Sequence, residues 1–215
     1  MGFIVSERGI EVNRDKIKAI LDITRPTRLK DVQRMTCYIV TVSRFTSRLG
    51  EKAGPLYKLL KKTDQFVWTD KAEAALQEFK RILSSAPILA APTAQEPMLL
   101  YIAATNRVVS VMTAVERKEE KQEHLVQRPT YYLSEVLIES KQRYPHYQKL
   151  AYGVFFVARK LRHYFQEHKI TLVSTAPLKN IINNHDATGR VAKWGIELAA
   201  FILITNLRQP SSHKV

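Results

Sequence analysis

Cysteine is almost absent from the sequence, since Cys37 is the only one among 215 residues. A single cysteine excludes an internal disulfide and a cysteine-rich zinc site, and it favours an intracellular compartment. No apolar run approaches the ~20 residues of a membrane-spanning helix, and the N-terminus lacks the apolar stretch of a secretory signal. With only seven glycines, the chain has no glycine-rich phosphate loop. We therefore expect an intracellular protein, cytoplasmic or nuclear, with no membrane partner.

Acidic residues are also scarce. The sequence holds 20 acidic and 34 basic residues, which gives a formal net charge of +14 at pH 7. Residues 1–92 and 93–215 each hold 17 basic and 10 acidic side chains, so the excess is spread evenly. An even spread suits a surface that follows a long polyanion. The alternative is a basic protein whose charges are merely solvated, and charge by itself leaves both open.

The first half of the chain has the pattern of short helices separated by clear stop signals. Apolar residues recur at spacings of three and four after residues that commonly cap helices. The predicted elements are a strand at residues 3–5, helices that start after Asn13, Thr27 and Thr69, a helix at residues 55–62, and a proline-rich linker at residues 84–97. Cys37 is expected to be a buried thiol. Residues 1–92 are thus predicted to form a small helical module.

The second half changes to near-continuous apolar runs that are rich in β-branched residues, which indicates strands. The predicted elements are strands at 98–104, 108–115, 130–133, 170–174 and 201–205, a long helix at 141–165, and helices at 177–183 and 190–200. This order predicts an α/β domain with a five-stranded mixed sheet. The fold class of the whole chain is therefore α+β, a helical module followed by an α/β domain.

Two runs of sequence carry a resemblance to a known family. The run from GFIVSERGIEVNRDKIKAI to LSSAPILAAP resembles the segment after the palm in reverse transcriptases of gypsy-type LTR retrotransposons. The run YYLSEVLIESKQRYPHYQKLAYGVFFVARKLRHYF continues the resemblance into that family's RNase H-like domain. The resemblance implies the end of the palm and a thumb or connection at 1–92, and an RNase H-like domain at 93–205 without the family's final helix. Residues 206–215 are then a divergent tail, for which a frameshift is the favoured explanation.

The resemblance also implies what this segment lacks. The family's polymerase carboxylates surround a Tyr-X-Asp-Asp turn, and no such motif occurs here. RNase H chemistry uses clustered carboxylates that hold two Mg²⁺ ions, and the family's positions fall on Ala103, Leu150 and Ser174. We therefore expect no catalytic residues, no metal site and no cofactor, in a pocket packed shut by Leu150. Some plant lineages, the Tat group, resemble this chain and keep such a degenerate domain as a spacer.

A domain without carboxylates can still contact a nucleic-acid backbone through basic side chains. The candidate nucleic-acid-binding residues are Lys58, Lys61, Lys62, Arg107, Arg159, Lys160 and Arg162. The plainer interpretation is that these are solvated charges on helix faces and in a hairpin turn. Trp68 and Trp194 are expected in the core.

The resulting hypothesis is a catalytically inactive fragment of a retrotransposon Pol polyprotein with a structural role. It would bind RNA–DNA hybrid or duplex without sequence preference, beside the remainder of the polyprotein. Self-association is expected as well, because part of the sheet would lack a cover. Two alternatives stay open: an active RNA–DNA hybrid ribonuclease, and a protein-interaction spacer that does not bind nucleic acid.

Overall fold

A β-hairpin stands at the start of the chain, where the sequence pattern predicted only one strand. The computed structural model describes residues 2–60, 66–119, 124–174, 176, 178, 182, 189–201 and 203–206. Strand β1 (Phe3–Ser6) pairs antiparallel with β2 (Gly9–Val12). Gly9 has φ 131°, and a Cβ there would lie 2.3 Å from the Leu89 carbonyl oxygen. Glycine is required because the backbone of β2 bonds directly to Leu89.

In the described part of the first half, five α-helices and a 3-10 helix (Ser43–Phe45) follow the hairpin, where the apolar spacing predicted four helices. The α-helices are α1 (Arg14–Leu21), α2 (Leu29–Thr41), α3 (Leu49–Lys52), α4 (Gly54–Lys58) and α5 (Asp70–Ser84). The caps predicted at Asn13 and Thr69 are confirmed, since each side chain accepts a backbone N–H of the first turn. The cap predicted at Thr27 is wrong, because Arg28 is the capping residue of α2 and Thr27 donates to the Asp31 carboxylate.

Two further predictions about the first half need correction. Cys37 is exposed, because it lies off the α2 stripe that buries Val32, Met35 and Ile39. The helix predicted at 55–62 ends at Lys58, and a turn follows at residues 59–60. Lys61 and Lys62 lie outside the described residues.

The second half forms a five-stranded mixed sheet, which confirms the predicted fold class. Its strands are β3 (Met98–Ala104), β4 (Val108–Lys118), β5 (Leu125–Val136), β6 (Ile170–Val173) and β7 (Leu203–Asn206). The spatial order is β5-β4-β3-β6-β7, with β3 antiparallel to β4 and parallel to β6. Strands β4 and β5 extend further than predicted, because their charged ends pair with each other as far as Lys118 and Leu125.

The predicted long helix is interrupted in two places. Its parts are α6 (Glu139–Gln142), α7 (His146–Lys160) and α8 (Arg162–Glu167). Pro145 has no N–H for a helical hydrogen bond, so α7 begins directly after it. Helix α9 (Arg190–Leu198) matches the prediction. The predicted helix at 177–183 and the tail from residue 207 lie largely or wholly outside the described residues.

Helices from both halves of the chain cover the sheet. Helix α7 packs closely on one face, and a Cβ at Gly153 would meet Val109 and Ile102 at 2.8 and 2.9 Å. Helix α3 packs on the opposite face, where a Cβ at Gly50 would lie 2.8 Å from the Ser134 Oγ. Trp68 is buried in the core of the first half and Trp194 in that of the second, as expected.

The linker before β3 is held by an ion pair. Two nitrogens of Arg117 donate to the Glu96 carboxylate at 2.8 Å, and Arg117 also donates to the Ala91 carbonyl. Thr93 donates to the same carboxylate through its N–H and its hydroxyl. The hydrogen bonds from Arg117, in spite of the desolvation that opposes them, lower the pKa of Glu96 from its usual 4.5 to about 2.

We expect Gly153→Ala to destabilise the fold by about 1–3 kcal/mol, because Val109 and Ile102 must shift to admit the methyl group. Gly54→Ala is the matched control, since nothing lies within 4 Å of a Cβ at Gly54. Urea unfolding measures both free energies. Equal effects of the two substitutions would contradict the close packing of α7 on the sheet.

Stability should fall as the pH drops from about 4.5 towards 2, because protonation of Glu96 breaks its hydrogen bonds to Arg117. A folded-state pKa below the unfolded value stabilises the protein above pH 4.5, here by at most about 3 kcal/mol. Glu96→Gln should flatten this part of the profile, whereas Glu78→Gln, in the exposed pair with Arg81, should leave it nearly unchanged. Thermal unfolding at a series of pH values measures the difference.

Candidate functional site

A cavity of about 500 Å³ opens where β3 and β6 end, beside the start of α7. The carboxyl ends of neighbouring parallel strands are the usual place for a binding site in sheets of this kind. The lining residues are Ser47, Arg48, Tyr101, Ile102, Ala103, Ala104, Ser110, Val111, Met112, Tyr132, His146, Leu150, Val173 and Ser174. We call this space the strand-end cavity.

The three positions that the resemblance assigns to carboxylates meet in this cavity. Ala103 lies near the end of β3 and is exposed, Leu150 comes from α7 and is 5% exposed, and Ser174 directly follows β6. The Ser174 hydroxyl oxygen accepts the N–H of Ala176 at 3.1 Å. The expectation that Leu150 packs the pocket shut is wrong, because small side chains at Ala103 and Ser174 leave the space beside Leu150 open.

The lining does not suit Mg²⁺, which prefers carboxylate oxygens. Among the residues that the structure describes, no Asp or Glu lines the strand-end cavity, and no three His, Cys, Asp or Glu side chains form a metal-binding group. Sequence reasoning overlooked Glu135, a carboxylate on β5. The Tyr152 hydroxyl donates to Glu135 at 2.8 Å and the Lys141 ammonium donates at 2.7 Å, so this carboxylate is already engaged.

The cavity is also lined by two nitrogen-bearing side chains, Arg48 and His146, which sequence reasoning did not single out. Arg48 reaches it from the turn before α3, with φ 55°, and its guanidinium pairs with Glu51. His146 is the first residue of α7. Pro145 marks that helix start in the sequence, but no local signal places Arg48 beside the sheet, since that requires α3 to dock against β5. The Tyr132 phenol is kept protonated, because burial raises its pKa.

The predicted basic residues do not form one patch. Arg107 is exposed in the β3–β4 turn, close to the strand-end cavity in sequence and in the sheet. Arg159 lies nine residues beyond Leu150 on α7, about 14 Å along the helix. It pairs with Glu197 at 3.3 Å and its guanidinium lies 5.1 Å from the Phe155 ring centre. Lys58 is exposed at the end of α4 in the first half.

Two further members of the predicted set that the structure describes stand near Arg159. Lys160 and Arg162 are exposed at the junction of α7 and α8. Arg162 lines a smaller cavity of about 250 Å³ together with Arg159, Phe155 and Ile196. Their role in binding stays a prediction.

In the part of the chain that the structure describes, each helix is too short or too polar to cross a membrane.

Comparison with known proteins matches residues 68–172 to the family described as the RNase H-like domain found in reverse transcriptase. The Transposon Tf2-3 polyprotein of Schizosaccharomyces pombe is 21% identical over 226 residues, covering 100% of this chain and 16% of the polyprotein. The chain is thus similar to this domain at residues 68–172 and to a segment of a transposon polyprotein over its whole length. It spans about a sixth of the length of such a relative.

Two solved structures are similar to this chain in fold. The foamy viral protease-reverse transcriptase in complex with dsDNA matches with a TM-score of 0.76 and 17% identity, over 100% of this chain and 45% of that one. The same protein in complex with RNA/DNA hybrid matches with a TM-score of 0.78 and 17% identity, over 100% of this chain and 30% of that one. At this identity the likeness is one of fold alone.

Divalent cations should not stabilise this chain. A ligand that binds only the folded state raises stability in proportion to the logarithm of its concentration, and among the residues that the structure describes no carboxylate lines the strand-end cavity to hold one. We expect equal unfolding temperatures in millimolar Mg²⁺ and in EDTA at matched ionic strength. A saturable rise with Mg²⁺ or Mn²⁺ would contradict this assignment.

Proposed function

We propose that this chain is the thumb or connection and the RNase H-like part of a gypsy-type retrotransposon Pol polyprotein, and that it is catalytically inactive. The observation that carries the proposal is the lining of the strand-end cavity, where Ala103, Leu150 and Ser174 stand at the positions expected for carboxylates. Hydrolysis by two metal ions needs several carboxylate ligands in one place. The plant Tat group, with its degenerate spacer domain, is the lineage proposed.

The retained role is non-specific contact with nucleic acid. The net charge of +14 is spread over both halves of the chain, and phosphate contacts by basic residues account for most non-specific binding. The structural neighbours are foamy viral proteins in complex with dsDNA and with RNA/DNA hybrid, which supports a duplex or a hybrid as the partner. The boundaries at residues 92 and 205 and the self-association of the chain belong to the same proposal.

A spacer that does not bind nucleic acid is the second candidate. It is favoured by the contacts of Arg159, whose exposed guanidinium already pairs with Glu197 and lies over the Phe155 ring. An active hybrid ribonuclease is less well supported, because Glu135 is held by Lys141 and Tyr152 outside the lining of the cavity.

The test is a binding titration with a fluorescent RNA–DNA hybrid at several salt concentrations. We expect a dissociation constant of about 10⁻⁴–10⁻⁶ M at physiological salt, which weakens steeply as salt rises. Replacing Lys58, Lys61 and Lys62 together by Gln should reduce the logarithmic salt slope by up to about three, one for each phosphate contact.

The same hybrid, incubated with the chain and Mg²⁺ or Mn²⁺, should remain intact. Cleavage that EDTA abolishes and that persists through repurification would establish the active ribonuclease instead. A flat salt titration without cleavage would leave the spacer as the better description.

A further inference from the structure

The polar lining of the strand-end cavity is the reverse of what a metal site requires. Its polar side chains are a guanidinium, an imidazole, serine hydroxyls and phenols: Ser47, Arg48, Tyr101, Ser110, Tyr132, His146 and Ser174. The hydroxyls of Tyr101 and Ser110 already bond to Gln127 and Ser134, and the rest of the lining is apolar. Arg48, whose guanidinium is positive at all ordinary pH values, and the start of α7 at His146 are therefore the groups that could hold an anion here.

We propose that the strand-end cavity binds a backbone phosphate of the nucleic acid directly, through Arg48 and the start of α7, without a metal ion. This inference rests on the proposed function, because it names the contact through which part of the nucleic acid is held. A free phosphate or a mononucleotide presents the same chemistry, and the experiment below separates these sources from a strand.

Arg48 is placed to make this contact. Its side chain is 60% exposed, and its pair with Glu51 uses only part of the guanidinium. A guanidinium has five N–H donors in a planar fork, so it can serve one carboxylate and one phosphate together. Glu51 itself does not line the cavity. Arg48 therefore brings a guanidinium to the cavity, shared with the Glu51 carboxylate that pairs with it from outside the lining.

The start of α7 supplies a second, independent set of donors. The N–H groups of Gln148 and Lys149 are taken by the Pro145 carbonyl, and no side chain caps this helix. The N–H groups of His146 and Tyr147 have no acceptor in the described part of the chain. Free N–H groups at the start of a 15-residue helix attract anions, because the helix dipole adds to their partial charge.

The absence of carboxylates at three positions of the cavity also favours an anion there. Carboxylates at the positions of Ala103, Leu150 and Ser174 would repel a phosphate unless metal ions lay between them. With an alanine, a leucine and a serine in their place, that repulsion is absent and no bridging cation is needed. The same substitutions that remove metal chemistry thus make direct phosphate binding favourable.

Two variants test the site, one by removing a positive charge and the other by adding a negative charge. Arg48→Asn removes the guanidinium and keeps a residue that tolerates the φ of 55°. Ala103→Asp places one carboxylate in the cavity at an exposed position, so that no charge is buried. Arg81→Ala is the matched control, since Arg81 is an exposed arginine that pairs with a glutamate three residues away, as Arg48 does.

The measurement is binding of a fluorescent RNA–DNA hybrid in EDTA across a salt series, with urea unfolding to check that each variant folds. We expect Arg48→Asn to bind about 3- to 10-fold more weakly and to lose about one unit of salt slope. Ala103→Asp should bind more weakly in EDTA and recover in part with Mg²⁺. The parent and Arg81→Ala should bind equally in EDTA and in Mg²⁺ at matched ionic strength.

The outcomes separate this inference from the proposed function. Salt-dependent binding that is the same in Arg48→Asn, Ala103→Asp and Arg81→Ala would overturn the cavity site and keep the proposed function. Absence of any salt-dependent binding by the parent would overturn both. Competition by inorganic phosphate or a mononucleotide at concentrations equal to those of hybrid phosphate would overturn the assignment to a strand, whereas competition only by oligonucleotides supports it.

Discussion

The contact between α3 and the face of the sheet opposite to α7 is the constraint on which the rest of the structure depends. The Gly50 N–H donates to the Ser134 hydroxyl at 3.0 Å, and that hydroxyl lies 3.1 Å from the hydroxyl of Ser110. A side chain at residue 50 would meet these groups, so the backbone can approach only because the residue is glycine. This contact joins the two halves of the chain and carries Arg48 to the cavity.

Stacked aromatic and cationic groups reinforce the same junction. The guanidinium of Arg44 lies 4.7 Å from the ring centre of Phe3 and 4.5 Å from that of Tyr131. It is therefore held between the first hairpin and strand β5, and each such contact contributes about 0.5–2 kcal/mol. The wall of the strand-end cavity that comes from the first half is thus fixed relative to the sheet.

The cavity illustrates how a change of ligand chemistry can follow from a change in charge alone. Two strand ends and a helix start still meet there, and the fold keeps the space that the resemblance assigns to a catalytic site. The polar side chains that line it include Arg48 and His146, whereas Ala103 and Leu150 contribute no oxygen. The proposed phosphate site rests on this set of side chains, because a guanidinium attracts anions and carboxylates attract cations.

Most of the fold could be predicted from residues that act locally. The caps at Asn13 and Thr69, the strand periodicity from residue 98 and the apolar stripe of α7 are local signals, and the structure bears them out. Pro145 indicates the break before α7, but the helix predicted at 141–165 ran through it. The ends of β4 and β5 could not be read, because polar strand ends are held by pairing across the hairpin and not by burial.

The sequence by itself determined the fold class, the mixed sheet and the positive charge, since each of these is a property of residue type and spacing, whereas the three positions without carboxylates are what the resemblance implies. Only the tertiary structure decided that the cavity stays open and that Arg48 lines it. Both depend on α3 reaching a sheet that begins almost fifty residues later. Packing at that distance is set by shape complementarity around Gly50, which no local pattern encodes.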